Sequence, residues 1–288
     1  MLADRKLIQY LGIVVLLGMG FQTVFYFNHD STWLLVAMWA PTLAVLTLGK
    51  TGLEVLRELK KFPLRWVALA LLLALVPFAL NQIFYAVFNL GSWNPHFILS
   101  PDGSRTISIE KASLVLGTEK QSYLFFALNL ALSVLAGSIM TTLVGALGEE
   151  IGWRGFLQLR LQKYFNVISA TSILAVIWAY WHIPANLGGN NGGDHLALVT
   201  FIIFPLGVFF MSFALAWLRI RSAAIWPCAF FHGVNNTVGS VYLLKPHSDL
   251  IENLIGLLSY AIVGSVFIYL LYRMQNSSIR HVTNAQGV

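Results

Sequence analysis

The chain has 288 residues, 57% of them apolar and 10% charged, with a net charge of +6 and a mean hydropathy of +0.72. Soluble domains carry about a quarter charged residues, so an ordinary water-exposed surface is excluded. The basic residues gather at the ends of apolar runs rather than along one face, which argues against nucleic acid as a partner and for a membrane protein.

Apolar runs long enough to cross the hydrocarbon core as helices predict spans near 7–27, 32–49, 65–89, 123–147 (continuing past 150), 166–183, 198–218, 222–240 and 251–272. The expected fold class is therefore all-α: a bundle of eight transmembrane helices forming a single polytopic domain over 1–288. Arg5 and Lys6 precede the first run as they would in a secretory signal. The run is long, however, aromatic residues follow it (Phe21, Phe25, Tyr26, Phe27) and no small-x-small cleavage site is evident, so an uncleaved first span is expected.

Alternating the eight spans puts Arg5, Lys6, Lys50, Arg57, Lys60, Lys61, Arg65, Arg154, Arg160, Lys163, Arg219, Arg221, Arg273 and Arg280 on one side. Only Arg105, Lys111, Lys120 and Lys245 fall on the other. By the positive-inside rule the first side is cytoplasmic, giving a multi-pass cell-membrane protein with both termini inside. The 91–121 stretch and the Gly/Asn loop 188–193 then face outward. Cys228, alone of its kind and set in an apolar run, reads as a small buried residue.

Polar groups inside such a bundle are costly and call for a reason. Three clusters stand out: Glu149 and Glu150 with Arg154, then His182, then His232 with Asn236. Glu150 and Arg154 lie four apart on one helical face and can pair, while Glu149 sits about 100° round the helix and is free to face elsewhere. Taken alone, these charges could simply terminate the fourth span, and His182 could close the fifth before Pro184. Depth argues otherwise. A hairpin turning at Lys163–Asn166 places Glu149 and His182 at matched heights of roughly 20–25 Å above the turn. His232, eleven residues past Arg221, and Asn236, one turn on, fall roughly 16–22 Å from the same side.

The other histidines (His29, His96, His195, His247, His281) lie in loops or tails. The aromatic crowd Trp178, Tyr180 and Trp181 reads as packing, and Gly145, Gly148, Gly152 and Gly155 as points of close helix approach. A carboxylate beside an imidazole can activate water, and a second imidazole with an amide one turn later can stabilise an oxyanion. That set suits amide hydrolysis. No GxSxG elbow is present for a serine mechanism, and Cys228 has no evident base. Glu149, His182 and His232 would be the ligands if a metal were used; zinc is the cofactor such a set admits, although HExxH is absent.

Glu149-Glu150-x-x-x-Arg154, then Trp178-x-x-x-His182, then His232-x-x-x-Asn236 resembles the CPBP family, the CAAX protease and bacteriocin-processing (Abi) group of intramembrane proteases. The resemblance covers about 120–240 as a catalytic core and departs at Trp178, where the family usually has phenylalanine. It implies an eight-helix fold with its active site in a cavity open to the cytosol. Glu149 would be the water-activating base with His182 as its partner, His232 and Asn236 the oxyanion site, and Glu150 and Arg154 the supporting pair. Substrates would be membrane-associated or lipidated peptides and proteins. A non-catalytic immunity or scaffold protein of the same fold and a membrane transporter are the competing classes; a transporter would often show inverted repeats, and none is visible.

Overall fold

The computed structural model describes residues 4–100, 106–109, 115, 120–191 and 193–285. Arg105 and Lys111, counted above on the outer side, lie outside the described residues. Helices occupy all eight regions expected to hold spans. They are α1 (Arg5–Asn28), α2 (Thr32–Leu46, interrupted at Trp39), α3 (Lys50–Arg57), α4 (Leu64–Val87), α5 (Tyr123–Leu161), α6 (Val167–Leu187), α7 (Gly193–Ser222), α8 (Trp226–Val238) and α9 (Asp249–Ala285). The short amphipathic α3 lies between predicted spans.

Six of these, α1, α4, α5, α6, α7 and α9, are long and apolar enough to cross a membrane, among the described residues. The expectation of eight full-length spans is corrected at α2 and α8, which have 15 and 13 residues. At about 1.5 Å rise per residue neither reaches the roughly 30 Å of a hydrocarbon core. Helix α8 is buried without a break from Pro227 to Val234. The long helices show the opposite pattern: Leu16, Leu72 and Leu124 are 73%, 65% and 73% exposed, apolar side chains suited only to a lipid surface.

The chain path alternates between two ends of the bundle. At one end Asp4 caps α1 and accepts hydrogen bonds from Arg160 and from the Tyr164 hydroxyl, Lys6 meets Thr51, and the Trp226 indole donates to the Leu59 carbonyl. The Arg160 guanidinium holds the Asp4 carboxyl well below the usual carboxylate range. At the opposite end the chain forms short antiparallel ribbons. β1 (Gly91–Trp93) pairs with β5 (Leu244–Pro246), and β2 (Phe97–Leu99), β3 (Thr106–Ile109) and β4 (Gln121–Ser122) form a three-stranded sheet. Strands of two to four residues carry no readable alternation, and β1 finds its partner some 150 residues away, so the region read as a loop.

Helix α5 is continuous but not uniformly α. Two π-helical segments, Thr142–Ala146 and Ile151–Leu157, flank the α-turn that carries Glu149 and Glu150. Such wide turns are rare and concentrate at functional sites. The turn can approach α1 and α2 closely because glycine stands at the contacts. A Cβ on Gly148 would lie 2.8 Å from the Met38 carbonyl oxygen, and one on Gly152 would lie 2.6 Å from the Tyr10 hydroxyl. The close-approach role expected of these glycines is realised there.

Candidate active site

The centre of the bundle holds a cavity of about 560 Å³. Glu149 of α5, His182 of α6, and His232 and Asn236 of α8 all line it. The helices expected to converge line one cavity.

Glu149 is 1% exposed, and its Oε2 accepts from two indole N–H groups, Trp153 at 3.1 Å and Trp178 at 2.6 Å. Two donors on one oxygen fix the carboxylate plane and satisfy a buried group that would otherwise be costly. Oε1 has no hydrogen-bond partner among the described residues, which leaves it for the cavity. The His182 Nδ1 lies 2.8 Å from the Trp178 carbonyl. A carbonyl only accepts, so Nδ1 carries the proton and Nε2 of the neutral ring is the lone-pair side. No hydrogen bond joins Glu149 to His182 among the described residues; both face the cavity.

Glu150 points away from the cavity. Its Oε1 accepts from Arg154 at 2.9 Å and from His232 Nδ1 at 3.0 Å. The Glu150 and Arg154 side chains are wholly buried. Arg154 also reaches the Ser212 hydroxyl at 3.3 Å and lies over the Trp178 ring at 4.2 Å. Arg219, paired with Glu58, donates to the Arg154 carbonyl. Asn236 is exposed at the wall, and its Oδ1 receives the Asn235 amide at 3.4 Å.

Trp178 packs in the core as expected and does more. Its indole N–H holds Glu149, its carbonyl sets the His182 tautomer, and its ring meets His232 edge-on at a centroid distance of 5.3 Å. The signal available was the W-x-x-x-H spacing, which puts both side chains on one face of a helix. Asn235 and Tyr260 were also missed: the Tyr260 hydroxyl donates to Asn235 Oδ1, and both residues line the cavity. We predict that Trp178→Phe, which keeps the ring and removes the N–H, lowers kcat about tenfold or more, since a hydrogen bond to a charged group contributes roughly 1.5–3 kcal/mol. Steady-state kinetics with an unchanged unfolding midpoint would check this.

Zinc finds no ready-made cage. Among the described residues no group of three or more His, Cys, Asp or Glu side chains is placed to hold a metal ion. Glu149 Oε2 is held by indoles, His232 Nδ1 by Glu150 and His182 Nδ1 by a carbonyl, so Glu149 Oε1 and the two Nε2 atoms are the ones that would hold a metal if one were used.

Beyond the four polar groups the cavity wall continues through Asn190, Tyr242 and Glu252.

Residues 130–238 match the model of the Rce1-like family, described as type II CAAX prenyl endopeptidase Rce1-like. The chain is also similar to CAAX prenyl protease 2 of Methanococcus maripaludis, 24% identical over 132 residues. That alignment covers 44% of this chain and 47% of the relative, so the match spans about half the length of the curated relative. The matched stretch contains Glu149, Glu150, Arg154, His182, His232 and Asn236. Motif order and helical membrane architecture agree with this likeness to the Rce1-like model over residues 130–238.

Proposed function

We propose that the chain is an intramembrane endopeptidase that hydrolyses a peptide bond in a membrane-associated or lipidated peptide or protein. The observation that carries this reading is the shared cavity, in which a buried carboxylate, two imidazoles and an amide from three helices face one space.

In this reading a water sits between Glu149 Oε1 and His182 Nε2. Glu149 takes its proton as the oxygen attacks the scissile carbonyl carbon, and the indole donors on Oε2 keep the carboxylate aimed. The developing oxyanion receives hydrogen bonds from the Asn236 amide and from His232 Nε2–H, the imidazolium being supported by Glu150 on Nδ1. Collapse of the tetrahedral intermediate breaks the C–N bond, and the proton on Glu149 passes to the departing amine.

Every polar group in this scheme comes from the chain itself. Exhaustive chelation should therefore leave the cleavage rate unchanged; loss of activity on chelation and its return with zinc would contradict the scheme. The substrate-level test is comparative peptidomics of membranes carrying the wild type or Glu149→Ala. New peptide termini confined to the wild-type membranes are expected, and identical sets of termini would overturn the reading.

A further inference from the structure

Asn236 stands exposed at the cavity wall, where its carboxamide can turn either end towards a substrate. The two ends are chemically opposite. The NH₂ group donates and stabilises an oxyanion, whereas the carbonyl oxygen only accepts and would repel one. A carboxamide that serves as an oxyanion donor needs a partner that holds its oxygen away from the reacting atoms.

Two neighbours supply that hold in sequence. Tyr260 of α9 brings its hydroxyl to Asn235 Oδ1 on α8. A carbonyl oxygen offers no proton, so the hydroxyl donates, and the Asn235 NH₂ group is left at the other corner of its amide. That group donates in turn to Asn236 Oδ1 at 3.4 Å. The Asn236 oxygen is thereby held, while its Nδ2 has no hydrogen-bond partner among the described residues. Successive hydrogen bonds of one sense polarise each other, so the chain runs from a hydroxyl on α9 to the free NH₂ of Asn236. All three residues line the cavity. Tyr260 lies outside the matched stretch 130–238.

We propose that Tyr260 and Asn235 are positioning residues that set the direction of the Asn236 carboxamide and keep its NH₂ group turned to the oxyanion of the tetrahedral intermediate. This role rests on the peptidase reading above.

The test uses the full-length protein in detergent and an internally quenched peptide built on a terminus that the peptidomics finds in wild-type membranes. Tyr260→Phe keeps the ring and removes the hydroxyl; Asn235→Leu keeps the size and removes the amide. Each should lower kcat about tenfold, a fraction of the 10²–10³ that a lost oxyanion donor costs, with KM and the unfolding midpoint essentially unchanged. The discriminating readout is the double-mutant cycle. In an Asn236→Ala background neither change should slow cleavage further, and the two together should cost no more than either alone. Wild-type kcat in Tyr260→Phe, or an equal loss in the Asn236→Ala background, overturns the relay while leaving a slow Asn236→Ala enzyme and the peptidase reading in place. Wild-type kcat in Asn236→Ala itself would remove the oxyanion site from the peptidase reading, and the relay with it.

Discussion

Glu149→Gln should lower the cleavage rate by about a thousandfold, within the 10²–10⁴ range of a lost general base, while the protein stays folded. The amide has the size of the carboxylate and keeps an oxygen for the Trp153 and Trp178 indoles, so the buried donors remain satisfied. What it lacks is a proton-accepting carboxylate on the cavity side. Glu149→Ala is the less informative change for a kinetic measurement, because it orphans two buried N–H groups at roughly 1–3 kcal/mol each. Kinetics paired with an unfolding midpoint in detergent checks the prediction. Retention of full activity by Glu149→Gln would end the assignment of this residue as base.

Glu150→Ala should fail differently, by loss of fold before loss of chemistry. Removing this carboxylate strands the Arg154 guanidinium at zero exposure with only Ser212 and the Trp178 ring for company. Breaking one side of a buried ion pair costs about 3–5 kcal/mol, a large part of the stability of an ordinary domain. The same change frees His232 Nδ1, so any folded fraction would also lose its oriented imidazole. The expected result is a sharply lowered unfolding midpoint in detergent. An unchanged midpoint would show that this pair does not hold the helices together.

The contrast between adjacent glutamates was partly legible in the sequence. The four-residue spacing of Glu150 and Arg154 and the 100° offset of Glu149 assigned one to a pair and one elsewhere, and the structure places them so. Counting from the Lys163–Asn166 turn also set His182 opposite Glu149, and the two line one cavity.

What escaped the sequence depends on distant partners. The indole bonds to Glu149 need α5 and α6 to be docked before Trp178 differs from any other buried ring. The π-helical turns of α5 leave no mark that helical periodicity reveals. Helix α8 reads as a full span because apolar residues continue past its end, yet its last turns give way to a 3₁₀ turn and the β5 strand. The bonds of Arg154 to Ser212 and of Arg219 to the Arg154 carbonyl likewise join two separate helices.

The central claim is that Glu149 activates a water for attack on a peptide bond inside this cavity. The most direct measurement is cleavage in ¹⁸O-enriched water, with mass spectrometry of the new C-termini formed by reconstituted wild type and by Glu149→Gln. The account predicts ¹⁸O-bearing C-termini with the wild type and almost none with the variant. Equal yields of labelled termini from both proteins would contradict it.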